Sequence, residues 1–216
     1  MKYNANTFRF FTLVISLNFM LFIIVGCSKN EENEDTEPAN KNPTMINDLI
    51  PQKAFEILDS LNMPIVEGDN PPDVSGTYIV NPNELMRSTV ENDNIGENFP
   101  DYFLSFKSPN EGSNSFKTTT VCEPFELDGT ADISFIQGSE NAFSVFTVME
   151  TTDQINNDSF ISVEVYTGHL TDEGIQYLTN ASIMLNDHGD PNDHYIEINE
   201  GRMFKDGNNF SDKSGF

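Results

Sequence analysis

Ala142-Phe143-Ser144-Val145-Phe146-Thr147-Val148-Met149-Glu150 and, a few residues on, Phe160-Ile161-Ser162-Val163-Glu164-Val165-Tyr166-Thr167 decide the fold class of this chain. Phe143, Val145 and Thr147 share one phase of a two-residue period; Ser144, Phe146 and Val148 share the other. Ile161, Val163 and Val165 alternate in the same way with Ser162, Glu164 and Tyr166. Successive side chains of an extended strand point to opposite faces, so this is the period of a β-strand and not of a helix. Between the two runs lies the polar stretch Gln154–Asp158, a turn signal. Two strands joined by a short turn make a hairpin, and a hairpin is the unit of an antiparallel sheet.

Working outward, the same pattern recurs. Strands are predicted near Gly76–Val80, Asp101–Lys107, Phe116–Cys122, Ala131–Gln137, Ala142–Glu150, Phe160–Thr167, Ile175–Asn186 and Tyr195–Lys205. In the last of these, Ile196 and Ile198 alternate with Glu197 and Asn199. Pro109–Gly112, Gly138–Asn141 and Asn186–Asp193 read as connecting loops. Short strands at close spacing predict an all-β fold, an antiparallel eight-stranded barrel with a β-sandwich as the alternative. Thirteen of the 18 Phe lie beyond residue 26, and Trp is absent, so phenylalanine must dominate the core or line a cavity.

A short helix precedes the strands. Ile50, Ala54, Ile57, Leu58 and Leu61 recur at helical spacing, Asn47 or Asp48 can cap, Pro51 suits the first turn and Asn62 the stop. A helix of this length is unstable alone, so its apolar face must pack on the domain that follows. Four segments result: 1–26, a tether over 27–44, the helix within 45–62 and the β-domain over 63–216. Residues 28 to about 44 are polar, carry Pro38 and Pro43, and lack apolar periodicity, which predicts disorder.

The head of the chain gives the address. Lys2 and Arg9 precede an apolar run from Phe10 to Val25, about 16 residues and short of the roughly 20 that span hydrocarbon. The run ends in Ile24-Val25-Gly26-Cys27, which resembles the lipobox of bacterial type II signal peptides, with Ile24 where Leu is usual. That resemblance implies cleavage before Cys27 and lipid on its sulfur, hence a membrane partner through that lipid. Lys29 followed by Glu31, Glu32, Glu34 and Asp35 is similar to the surface-export signal of Bacteroidota lipoproteins, implying an outer-membrane, surface-exposed location.

Charge excludes some partners. Two of the 11 basic residues and none of the 35 acidic ones precede Cys27, so the remaining chain carries nine against 35, a net charge of −26. Nucleic acid would be repelled, and so would anionic headgroups, which leaves anchoring to the lipid. The same charge favours cationic partners. With Cys27 acylated, Cys122 is left without a disulfide partner; beside Glu123 it reads as a strand residue rather than a reactive thiol.

At Gly76-Thr77-Tyr78 the predicted first strand opens on a motif. It resembles the Gly-x-Trp of lipocalins, which lies at the closed end of an eight-stranded barrel with a basic residue from near the last strand over the ring. Tyr78 stands where Trp is usual, and Arg202 lies in the predicted last strand. Met63–Tyr78 is similar to the lead-in of lipocalin-like domains in Bacteroidota lipoproteins. The resemblance covers about residues 63 to 205 and implies a fold more than a function. It places Arg202 over Tyr78 and makes strands 76–80 and 195–205 neighbours.

The densest set of potential ligands is Asn186–His194. Asp187, Asp190 and Asp193 could serve a divalent ion, although Gly-Asp-Pro-Asn is also an ordinary turn. No nucleophile elbow, phosphate loop or HExxH helix is present, and no cofactor is called for. The leading expectation is a non-enzymatic, membrane-anchored binding module for a small apolar ligand. The alternatives are a structural or protein-interaction lipoprotein with a filled barrel, and an extracellular hydrolase. For the anchor the test is direct. Cys27→Ala should abolish acyl labelling and leave uncleaved precursor; a processed N-terminus with unchanged membrane retention would contradict it.

Overall fold

The long hairpin predicted from residue 142 to 167 is the centre of the sheet. A computed structural model describes residues 45–107, 115–190 and 193–215. The predicted signal segment, Cys27, the predicted tether and the predicted Pro109–Gly112 loop lie outside the described residues; the described residues all belong to one compact unit spanning 41–216. In chain order the helices are α1 (Ile46–Leu49) and α2 (Gln52–Ser60). The strands begin with β1 (Asp69–Asn70), β2 (Gly76–Val80), β3 (Asn83–Ser88), β4 (Asn98–Phe99), β5 (Tyr102–Lys107) and β6 (Phe116–Cys122). They continue with β7 (Leu127–Ser139), β8 (Ala142–Asp153), β9 (Asp158–Leu170), β10 (Gly174–Asn186), β11 (Gly201–Asp206) and β12 (Phe210–Ser214).

The sheet closes into an antiparallel eight-stranded barrel, with the short helix before it. The ring runs β2–β5–β6–β7–β8–β9–β10–β12 and back to β2. β10 makes closure work by holding two partners along its length. Its first residues, Gly174–Gln176, pair with β12, and Thr179–Ile183 pair with β11. An irregularity between Gln176 and Thr179 separates the two registers, the kind of bulge that bends a strand at a barrel corner. From β11 the sheet branches outward to β3 and β4. β1 adds a short parallel pairing to β7 where Gly68, at φ +141°, lies against Gly138; a Cβ on Gly68 would collide with the Gly138 carbonyl.

Two expectations need correction here. Tyr195–Glu200 is not strand: the Glu200 N–H returns to the Glu197 carbonyl at 2.9 Å and Asn199 turns left-handed, so only Gly201–Asp206 joins the sheet. The strand beside β2 is therefore not the one that carries Arg202. β12 closes the barrel, with Lys213 opposite Tyr78, while β11 pairs with β10 and β3. The polar runs of β3 and β12 carry little strand propensity of their own; pairing with neighbours makes them strands.

Both faces of the central strands are buried. Outside the barrel, Phe146, Val163, Val165, Ala181, Ile183 and Met203 meet Ile50, Ala54, Ile57, Leu58 and Leu61 of the helical segment. Pro51 is the N-cap of α2, and Asp48 lies inside α1 rather than capping. The predicted stop holds. Asn62 is left-handed, its N–H reaches the Asp59 carbonyl at 3.0 Å, and the Met63 N–H reaches Leu58 at 2.9 Å. That double bond is the Schellman ending, and it brings Met63 into the same apolar cluster. Leu58 is 3% exposed, so Leu58→Ala should lower the unfolding free energy by about 2–5 kcal/mol in urea titrations. An effect near zero would mean the helix does not pack on the barrel.

Candidate functional site

Inside the barrel the side chains divide into two layers. One end is filled. Phe106 stands at its centre with Tyr78, Phe116, Phe143 and Tyr166 around it, ring centroids 5.8–6.4 Å apart and mostly edge to face. Val80, Leu104, Val145, Ile175 and Leu178 complete this apolar plug. Tilted aromatic contacts of this kind add to simple burial, so the plug is rigid as well as dry.

Above the plug the barrel is hollow, with a cavity of about 790 Å³. That size lies within the range of about 300–1,000 Å³ typical of small-molecule sites. Phe99, Leu127, Met149, Phe160, Met184 and Phe204 give it apolar walls. Phe125, between β6 and β7, and Ile155, between β8 and β9, line it while remaining half-exposed or more, which marks this end as the mouth. The Tyr195 ring packs at a tilt against Phe160, centroids 4.8 Å apart, and its hydroxyl donates to the Asp153 carboxylate at 3.4 Å.

The polar group in this space is Glu164. It is 7% exposed and sits on the inward phase of β9 with Ser162 and Tyr166. Ser162 and Ser182 hydroxyls donate to its Oε1 at 2.7 and 2.6 Å; Asn180 Nδ2 donates to Oε2 at 2.9 Å. Burial raises the carboxyl above the usual range, and these three neutral donors offset only part of that. Two further polar groups line the cavity. Asn83 Oδ1 and Tyr102 Oη are buried without a hydrogen-bond partner among the described residues. A buried polar atom left in that state costs about 1–3 kcal/mol. Burial also drives the Tyr102 and Tyr166 hydroxyls upward, with the Glu164 charge adding to it.

The predicted site residues are not brought together. Arg202 borders the cavity, but its guanidinium lies 5.2 Å over the Phe99 ring and not over Tyr78. Its Nε and Nη2 donate to Asp93 at 2.7 and 2.8 Å, which holds the Asp93 carboxyl below the ordinary range. Tyr78 is fully buried in the plug, donates to the Val74 carbonyl at 2.9 Å, and has its hydroxyl pushed up to about 12 by burial and then by Asp73. The basic side chain beside Gly76 and Tyr78 is Lys213, whose Cε is 3.0 Å from where a Gly76 Cβ would stand. The expected Arg202–Tyr78 contact does not form, because β12 rather than β11 abuts β2.

Asp187 and Asp190 build the β10–β11 loop. Asp187 accepts from the Gly189 N–H at 2.8 Å, Asp190 from Tyr195 at 2.7 Å, and the Asp193 N–H reaches the Asp190 carbonyl at 3.1 Å. Among the described residues no three His, Cys, Asp or Glu side chains gather to hold a metal ion. No helix among them is long and apolar enough to cross a membrane. Cys122 closes β6, buried against the cavity wall, and burial raises its thiol.

Glu164 was legible only as a phase. Its alternation with Val163 and Val165 put it on one face, and a valine-rich face usually points inward. Here the valines face out, under α2, and the Ser-Glu-Tyr face looks into the barrel. Asn83 carried no signal, since β3 was not predicted; Tyr102 lies in the predicted strand 101–107, but nothing marked its hydroxyl as a cavity group.

The raised carboxyl of Glu164 has a consequence for stability. A group that holds its proton more tightly folded than unfolded favours folding below its unfolded value and loses that advantage as pH rises through its folded one. Glu164→Gln removes this loss. Relative to the wild type, the variant should therefore gain stability from pH 4 upward, by at most about 1.4 kcal/mol per pH unit. A pH-independent difference in urea unfolding would contradict the burial of a titrating carboxyl. The chain matches no protein-family model, no curated protein and no solved structure, so its function is argued from this cavity.

Proposed function

We propose that the protein is a lipid-anchored binding module of the outer membrane that holds a small, largely apolar molecule inside its barrel. The single observation that supports this is the cavity of about 790 Å³ with apolar walls, open between the Phe125 and Ile155 turns above an aromatic plug. A barrel filled by its own side chains, the structural alternative, would have no such space. Ile24–Cys27 supports the lipid anchor, and Lys29 with the acidic run supports surface exposure. The same residues are the grounds for reading it as a Bacteroidota-type lipoprotein with a lipocalin-like barrel. An extracellular hydrolase draws no support from the cavity: Glu164 is held by neutral serine and asparagine donors rather than by a base.

Absence of Trp makes a fluorescent probe convenient. N-phenyl-1-naphthylamine, apolar and uncharged, should bind with one-to-one stoichiometry and a blue-shifted emission. Leu127→Trp, which adds bulk to the cavity wall, should abolish that binding while leaving the melting temperature nearly unchanged. A wild-type protein that leaves the probe's emission unaltered would overturn the proposal.

A further inference from the structure

Resting on the binding reading above, the polar end of the cavity defines what the occupant carries there. Glu164 has about four acceptor positions on its two oxygens, and serine and asparagine donors occupy three. Asn83, 7% exposed, faces the same space with an Oδ1 that no donor among the described residues meets, its Nδ2 being turned to the Pro100 carbonyl at 3.3 Å. Tyr102 adds a third buried oxygen without a partner among the described residues. At this polar end the Glu164 carboxylate and the Asn83 amide oxygen are acceptors, and the Tyr102 hydroxyl can accept as well as donate.

The cation nearest in the sheet does not correct this. Arg202 is opposite Ser182 in the register, yet its Nε and Nη2 are committed to Asp93 and its face to Phe99. An anionic head would meet a buried carboxyl, while the Arg202 charge at the cavity wall is already paired with Asp93. A primary ammonium carries three donors and no acceptor, the complement of the set Glu164, Asn83 and Tyr102. The charge of −26 beyond the signal segment also draws cations toward the mouth.

We propose that the cavity selects amphiphiles with a protonated amine head, seated against Glu164, Asn83 and Tyr102, and an apolar tail running past Met149 and Phe160 to the mouth. Glu164 supplies the charge that distinguishes such a head from a hydroxyl. The other two oxygens take up its remaining donors.

The test is displacement of bound N-phenyl-1-naphthylamine from the full chain at pH 7 by octylamine, octanol and octanoate. Octylamine should displace it at a concentration lower by about tenfold or more, the scale of one charge-assisted hydrogen bond. Glu164→Gln should bring octylamine to the level of octanol and leave octanol unchanged. Octanol or octanoate equal to octylamine on the wild type would overturn the head-group assignment without help from any variant, and so would an unchanged ranking in a folded Glu164→Gln protein. Failure of all three octyl compounds to displace a bound naphthylamine would overturn it too and leave the binding reading standing. Failure of the naphthylamine itself to bind would remove both.

Discussion

Barrel closure rests on three residue pairs, Gly174–Asp212, Ile175–Ser211 and Gln176–Phe210, between the start of β10 and β12. Everything inside depends on them. Without this contact β10 would continue only to β11, and the sheet would be open, with β12 and β4 as its edges. The chain supports the corner from both sides. Asp206, buried in the turn region before β12, accepts from the Ser211 hydroxyl at 2.8 Å and from the Asn81 and Asn208 N–H groups. Ser211, in the middle of the paired segment, is fully buried. Gly174 faces the Ser211 carbonyl and the Phe210 ring with no room for a Cβ. Closing eight strands fixes an interior wide enough for side chains or for one small molecule. This barrel uses both options, one at each end: aromatic rings around Phe106 fill one half and leave the other open.

The helix explains why a polar face could turn inward. Strands that lie between water and a core place their apolar phase inside. β9 and β10 do not, because α2 and its flanks offer a second apolar surface outside. Val163, Val165, Ala181 and Ile183 spend their burial there. The inward phase is then free to carry Ser162, Glu164, Asn180 and Ser182, which satisfy one another and present a carboxyl to the cavity. An exterior contact thus permits an interior chemistry. Loss of the helix would expose the valines and remove the reason for that phase.

Much of the architecture was legible in the residues. The alternation in β8 and β9, the extent of β2 and β6, and the helix stop at Asn62 follow from local patterns that physics enforces locally. What failed was non-local. Ile196 and Ile198 alternate like a strand, yet the Glu197–Glu200 turn removes them, and Ile198 is largely exposed. β3 and β12 are polar and short, and only their partners make them strands. Asn83 gains its place in the polar floor from the pairing of β3, while Tyr102 sits in an anticipated strand whose inward phase only the closed barrel defines. The Gly76–Tyr78 motif illustrates the same limit. Arg202 does not lie over Tyr78, because the strand that pairs with β2 is β12, which begins at Phe210, beyond the predicted last strand 195–205. Arg202 instead braces the β3–β4 branch through Asp93 and Phe99.

The central claim is that a closed barrel is hollow above an aromatic plug. Anomalous scattering from crystals of the protein soaked in 1-bromononane tests it most directly, since bromine reports its own position. The account predicts a bromine peak inside the barrel, bounded by Met149, Phe160 and Phe204 and above the Phe106 cluster. Bromine confined to the outer surface, with the barrel interior occupied by the protein's own side chains, would contradict it.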